Sequence, residues 1–313
     1  MALPAMGAVR RAYPGAVLAV AAPASVAPLF EEDTPAAQDA IITIRDRKKE
    51  PEALSAGKYD TALLLPNSFG SAWKARNAGI GERWGYAGSL RSALLTQAVK
   101  KPRETIHQSA YYLHLVRALG IDAPDDLPTL SVRQETRARA EDLLARRGVD
   151  PAAVLVGFAP GAAYGHAKRW PPARVAGLIA RVSRERGALR VLVGAGGDRD
   201  AAREIESSLP AGVRAINLVG KTDLRMLAGV IARCRAFVSN DSGAMHLAAA
   251  LGVRVAAIFG PTDDRVTAPL GDHDVLVHQV FCRPCMLRDC PIDHRCMKGI
   301  TVDAVFAALT NRI

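Results

Sequence analysis

The chain has 313 residues, more than a single hydrophobic core usually serves, so two domains of roughly 150 residues facing a cleft are expected. Its composition, 49% hydrophobic and 23% charged, is that of a well-packed soluble protein, and its apolar runs are too short to cross a bilayer, which points to a cytoplasmic or membrane-peripheral location. A formal net charge of +10 favours anionic partners such as phosphorylated substrates or an acidic membrane surface, whereas 5% aromatics and the lack of a recognised motif among the basic residues make nucleic acid the poorest match.

From Leu3 to Ala12 the apolar residues Leu3, Met6 and Val9 recur at helical spacing, and Tyr13-Pro14-Gly15 ends the helix. Arg10-Arg11, the apolar Ala16 to Ala22 and the small residues Ala24 to Ala27 resemble a secretory signal. Pro14-Gly15 interrupts that pattern, and a helix, a turn and a strand at Val17 to Ala21 fit better. Strands are expected again at Ala40 to Ile44 and Thr61 to Leu65, with helical segments between them, the alternation of a parallel α/β sheet. The basic stretches Arg45 to Lys49 and Lys100 to Arg103 read as solvated faces.

A helix from about Glu104 to Leu119 leads into Gly120 to Pro128, a polar, proline-bearing stretch suited to a linker or surface loop. A charged helix then ends near Gly148, and the α/β rhythm restarts. Strands are expected at Val154 to Phe158, Arg190 to Val193, Arg214 to Leu218, Ala236 to Ser239 and Val253 to Phe259, with a last helix at Val302 to Leu309. The expected architecture is two Rossmann-like doubly wound domains, 1–148 and 149–300, followed by a C-terminal helix, 301–313.

In open α/β sheets ligands sit at the carboxyl ends of strands, where helix N-termini present free amides to anions. Two segments fall there. Phe158-Ala159-Pro160-Gly161-Ala162-Ala163-Tyr164-Gly165-His166-Ala167-Lys168-Arg169-Trp170-Pro171 follows a strand and opens a helix at its prolines. Its small residues let backbone approach a phosphate and Lys168 supplies a point charge, although a plain glycine-rich surface turn has the same composition. Val238-Ser239-Asn240-Asp241-Ser242-Gly243-Ala244-Met245-His246 again runs from strand to helix. Asp241 or Ser242 would cap that helix, the next amides would face outward to a diphosphate, and His246 would lie one turn on; an ordinary N-cap with a buried histidine is the alternative.

Taken together, Lys168-Arg169-Trp170-Pro171, Asn240-Asp241-Ser242-Gly243 with His246, and Gly260-Pro261-Thr262 resemble the heptosyltransferase family, glycosyltransferase family 9. Leu65-Pro66-Asn67-Ser68-Phe69 and the cysteine segment near residue 290 extend the likeness over nearly the whole chain. The resemblance implies the GT-B fold, with an acceptor domain followed by a donor domain. It also implies inverting transfer of L-glycero-D-manno-heptose from ADP-heptose to the first heptose of the lipopolysaccharide inner core. Carried over by motif, Lys168 contacts the donor phosphate or heptose, Asp241 holds heptose hydroxyls, and the amides of Ser242 and Gly243 hold the diphosphate beside His246. Thr222 and Leu224 would border the adenine and Asp198 or Asp200 the ribose, positions where helix capping is the competing account. No cofactor or divalent metal is required in that scheme; the partners are a nucleotide-sugar donor, a phosphorylated lipid acceptor and the inner face of the cytoplasmic membrane.

Members of the family open with a strand, a Gly-Asp loop and a helix ending in a segment like Ala-Leu-Pro-Ala. The loop aspartate is the general base that the resemblance implies. Here the sequence starts at Met1-Ala2-Leu3-Pro4-Ala5, inside that helix, so the base and the first strand are expected before Met1, through a misassigned start or a truncation. The alternatives are an inactive nucleotide-sugar binding module and another GT-B nucleotide-sugar enzyme. Cys282, Cys285, Cys290 and Cys296, with His294 among them, are candidates for a structural zinc site, free thiols being the other reading; Cys234 reads as a small buried hydrophobe.

Overall fold

Strands and helices alternate along the chain as the apolar periodicity predicts. The computed structural model describes residues 1–162 and 165–310; Ala163 and Tyr164, which belong to the glycine-rich segment, and residues 311–313 lie outside the described residues. The chain divides into two units, Met1–Pro128 and Thr129–Ile313.

In the first unit, helix α1 (Leu3–Ala12) is followed by β1 (Ala19–Pro23), β2 (Ala40–Ile44), α2 (Glu50–Ser55), β3 (Thr61–Leu64), α3 (Phe69–Asn77), β4 (Glu82–Tyr86), β5 (Gln97–Val99) and α4 (Gln108–Ala118). Every strand pair is parallel. The sequence rhythm predicts one sheet here, but the strands form two, β1-β2 and β3-β4-β5, because no strand among the described residues pairs with both β1 and β3. Packing of α1 on α4 buries Ala5, Ala8, Leu113 and Val116 in a small separate core.

The second unit contains α5 (Gln134–Ala145), β6 (Leu155–Ala159), α6 (Pro172–Arg186), β7 (Leu189–Leu192), α7 (Arg199–Ser207), β8 (Ile216–Asn217), α8 (Leu224–Ala232), β9 (Ala236–Asn240), α9 (Gly243–Ala250), β10 (Arg254–Phe259), α10 (Asp264–Thr267), β11 (His273–Val277), α11 (Arg295–Lys298) and α12 (Val302–Thr310). Its six strands lie in the order β11-β10-β9-β6-β7-β8, all parallel. Read from the other edge this is the third, second, first, fourth, fifth and sixth strand of the unit, the doubly wound dinucleotide-binding order. β6 and β9 are buried at every position because helices cover both faces, and this explains their continuous apolar sequences. α6 starts on Pro171-Pro172 and stops at Gly187 in the left-handed conformation, as its sequence signals require.

The division after Pro128 corrects the limit expected at 148. α5 packs on α8 of the second unit. A β-carbon on Gly229 would lie 2.7 Å from Ala140 Cβ and 3.1 Å from the Thr136 carbonyl, so the two helices touch where α8 has no side chain. Leu130 N–H also donates to the Ala250 carbonyl at 2.8 Å. The boundary therefore falls at the end of the proline-bearing stretch. Nor is the last helix a separate piece: Val305, Phe306 and Leu309 of α12 are buried in the main core of the second unit.

Gly229→Val should overpack the α5–α8 contact and cost about 1–3 kcal/mol. Thermal unfolding followed by circular dichroism should show a lower Tm with an unchanged far-ultraviolet spectrum at 20 °C; an unaltered Tm would refute the close contact.

Candidate functional site

The reversal of strand order in the six-stranded sheet lies between β6 and β9, and the two segments singled out in the sequence leave the sheet there. Asn240, the last residue of β9, ties them together. Its side-chain amide donates to the Pro160 carbonyl at 2.6 Å and to the Gly161 carbonyl at 3.3 Å, and its Oδ1 accepts from Trp170 N–H at 3.2 Å. Trp170 is itself buried and donates from its indole N–H to the Ile300 carbonyl at 3.0 Å. The loop after β6 is thus fastened at both ends, and Lys168, on the short 3-10 turn His166–Lys168, is aimed back at the end of β9.

Lys168 Nζ lies 2.5 Å from Asp241 Oδ2, with 12% and 8% of the two side chains exposed. The same oxygen accepts from the buried Thr262 hydroxyl at 2.8 Å, and the Asp241 N–H donates to the Ile258 carbonyl at 3.1 Å. Asp241 Oδ1 takes no hydrogen bond from the described residues. A carboxylate held by a lysine, a threonine and its own backbone is fixed in orientation, with one oxygen left for a ligand hydroxyl.

Ser242 occupies the N-cap position of α9 in an extended conformation, but its hydroxyl lies 3.0 Å from that of Ser239 and neither it nor Asp241 caps the helix. The expected side-chain cap is therefore not formed, because the Ser242 hydroxyl is engaged with Ser239 of β9 and the Asp241 carboxylate with Lys168 and Thr262. The first amides of α9 consequently retain their capacity for an outside acceptor. Gly243 opens the helix, is exposed, and would have nothing within 4 Å of a β-carbon, so the space before the helix end is open. The partial positive charge of the helix N-terminus and Lys168 make this place suited to an anion. His246 is half-buried one turn further along α9.

The remaining sequence candidates lie along the same carboxyl edge but are not all free for a ligand. Asp198, after β7, accepts from Ala195 N–H at 3.0 Å, pairs with Arg169 at 3.6 Å and lies against Gly161, so it binds the loops after β6 and β7 to one another. Asp200 is 77% exposed at the side chain and pairs with Arg203 on the outside of α7. Thr222 and Leu224 are half-buried at the start of α8, whose cap is Asp223, accepting from Met226 N–H at 2.7 Å. Sequence reasoning assigned no role to Asn240, Thr262 and Trp170, although all three stand inside the motifs it quoted. In the first unit, Leu65 to Phe69 forms the turn after β3, where Asn67 donates to the Tyr111 hydroxyl at 3.0 Å and the buried Arg91 donates to the carbonyls of Pro66 and Ser68.

All five thiols are free, and among the described residues no three His, Cys, Asp or Glu side chains are grouped to hold a metal ion. Cys296 is instead buried in the core of the second unit, where burial pushes its thiol above the usual range. Cys234 is buried before β9 and its thiol is pushed up to about 12 by the same cause.

Residues 47–295 match glycosyltransferase family 9, the heptosyltransferases. The chain is 35% identical to lipopolysaccharide heptosyltransferase 2 of Escherichia coli over 276 residues, covering 82% of this chain and 78% of that protein. The solved structure of E. coli ADP-heptose lipopolysaccharide heptosyltransferase II superposes with a TM-score of 0.84 at 30% identity, over 99% of this chain and 93% of that one. A family 9 glycosyltransferase structure from Veillonella parvula gives 0.84 at 20% identity over 99% and 91%. The fold is accordingly the GT-B fold of these enzymes.

Asp241→Asn leaves Lys168 facing a neutral amide and should cost about 3 kcal/mol. In ligand-free protein that is a fall in Tm of about 6–12 °C for a unit of this size; an unchanged Tm would show that the pair is not formed. A thiol titration with Ellman's reagent at pH 8 should label Cys282, Cys285 and Cys290 in the native protein and reach Cys234 and Cys296 only after unfolding. Protection of the first three, relieved by a chelator, would reinstate a metal.

Proposed function

Because this chain belongs to glycosyltransferase family 9, the heptosyltransferases, we propose that it transfers L-glycero-D-manno-heptose from ADP-heptose to the first heptose of the lipopolysaccharide inner core, inverting the anomeric centre. The observation that carries this reading is the meeting of Lys168, Asp241 and the open N-terminus of α9 at the point where strand order reverses. The names of the relatives, heptosyltransferases of lipopolysaccharide and lipooligosaccharide, supply the sugar and the acceptor.

The order of strands supports a direction for the donor. β8, β7, β6, β9 and β10 follow one another along the edge, a span of about 19 Å at the usual strand spacing. Adenine lies by Thr222 and Leu224 after β8, and ribose by the loop after β7, where Asp198 shapes the loop and does not reach out. The diphosphate rests on the amides of Ser242 and Gly243 with Lys168 beside it, and the heptose reaches Asp241, near Thr262 at the end of β10. His246 stands behind the diphosphate on α9. The first unit takes the acceptor.

In the reaction an acceptor hydroxyl attacks the anomeric carbon, its proton passes to a carboxylate base, and ADP leaves as an anion. The leaving charge is met by Lys168 and the α9 N-terminus, fixed before the reaction begins, so the scheme needs no divalent cation. The fixed Asp241 holds the sugar hydroxyls so that the face opposite the diphosphate is presented. None of the described residues is assigned the base. The basic surface favours work at the acidic inner face of the cytoplasmic membrane as a peripheral protein.

With ADP-heptose and lipopolysaccharide that ends at its first heptose, the full-length protein, including any residues encoded before Met1, should add one heptose, detected by mass spectrometry of the lipid, at a rate unchanged by EDTA. Lys168→Ala and Asp241→Ala should each lower kcat/KM by about 10²–10³-fold. Wild-type turnover in both variants would sink the site assignment, and ADP-heptose binding with no transfer would instead mark a nucleotide-sugar binding module.

A further inference from the structure

We propose that Arg283, in the cysteine-bearing segment after β11, is a positioning residue for the donor site and acts on Asp241 through Thr262; the proposal rests on the transferase reading above. The polar partners of Arg283 are Gly260, Thr262 and Asp264. Its guanidinium, whose side chain is 7% exposed, spans the loop that leaves β10. Nε donates to the Gly260 carbonyl at 2.9 Å, Nη2 donates to the Thr262 carbonyl at 3.2 Å, and Nη2 also pairs with Asp264. Three residues on, Met286 N–H donates to the Pro261 carbonyl at 2.9 Å. The carbonyls of Gly260, Pro261 and Thr262 are thus all held from one segment.

That loop has no regular structure of its own, so the place of the Thr262 side chain depends on these outside donors. The Thr262 hydroxyl donates at 2.8 Å to the Asp241 oxygen that also faces Lys168. Fixing the Thr262 backbone therefore fixes which Asp241 oxygen is occupied and which is left for the ligand. The same segment reaches the other side of the site. The Arg288 carbonyl accepts from Ala167 N–H at 2.9 Å, and Gly165, at φ +147°, lies so close to that carbonyl that a β-carbon would be 2.3 Å from it. One stretch of chain thus braces both the loop bearing Lys168 and the loop bearing Thr262.

A planar guanidinium can serve two carbonyls and a carboxylate at once, whereas an ammonium group on a lysine reaches fewer of them in fixed geometry. Arg283→Lys keeps the charge and loses the fork. It should lower kcat/KM for ADP-heptose by about 10- to 100-fold, the range seen when supporting hydrogen bonds or small displacements disturb a site. Because Asp241 is assigned to the sugar and not to the nucleotide, the affinity for ADP alone, measured by calorimetry, should change by less than about twofold.

The decisive comparison is a double-mutant cycle with Thr262→Val. If Arg283 acts through the threonine hydroxyl, Arg283→Lys in the Thr262→Val background should change kcat/KM by less than about twofold. A full, undiminished effect in that background overturns the proposal, as does equal weakening of ADP and ADP-heptose, which is what a loosened or partly unfolded domain would give. Absence of transfer by the wild-type protein would instead count against the reaction proposed above. Should Arg283→Lys fold poorly, Asp264→Asn removes the carboxylate charge that helps hold Nη2 on the Thr262 carbonyl, and its effect must likewise vanish with Thr262→Val.

Discussion

The parallel pairing of β6 with β9 is the constraint on which the rest of the site depends. These strands are distant in sequence and become neighbours only because the connections after β6 run to one side of the sheet and those after β9 to the other. At that reversal the two following loops separate and leave a crevice at the carboxyl edge. Asn240 then closes the loops onto a common frame, donating from its amide NH2 and accepting at its amide oxygen, and Lys168 and Asp241 come together. Without the β6–β9 register none of these residues would meet.

An ion pair so little exposed is not a cheap way to stabilise a fold, since each charge loses hydration that the pairing only partly returns. Its retention is better understood as preorganisation. A carboxylate already desolvated and fixed by Lys168 and Thr262 would, in the proposed transfer, need little rearrangement when a sugar hydroxyl arrives, and a lysine already in place would need little when negative charge develops on a leaving diphosphate. The support continues outward through Arg283, so the hydrogen bonds around Lys168 and Asp241 draw on residues from four stretches of sequence.

The first unit is built differently. Its strands form two short sheets, and the turn after β3 is held from within by Arg91, a fully buried cation donating to carbonyl oxygens. The cost of burying that guanidinium implies a turn whose shape matters, and the turn carries the Leu65 to Phe69 motif. The cysteine segment teaches the converse lesson. Its close spacing invites a metal, but beyond that Cys296 lies in the apolar core and the segment holds the neighbouring loops by donors on Arg283 and Met286 and by the accepting Arg288 carbonyl.

Local sequence determined most of the strands and helices of the second unit, because buried parallel strands are continuous apolar runs and α6 is bounded by proline and glycine. It also singled out Lys168, Asp241 and Gly243, since strand-to-helix turns rich in small residues are recognisable without any partner. β4, β5 and β11 were not expected, being short or half-polar, and the helix 134–145 was assigned to the wrong unit because amphipathicity shows that a helix packs but not on what. Only the tertiary structure decided that Asp198 is spent on fastening loops, that Asp200 faces solvent, that Ser242 does not cap its helix, and that Thr262 bonds to Asp241 while Arg283 bonds to the Thr262 carbonyl. Each of those outcomes depends on contacts between residues far apart in the chain, and such distances are fixed by strand order, which local periodicity does not encode.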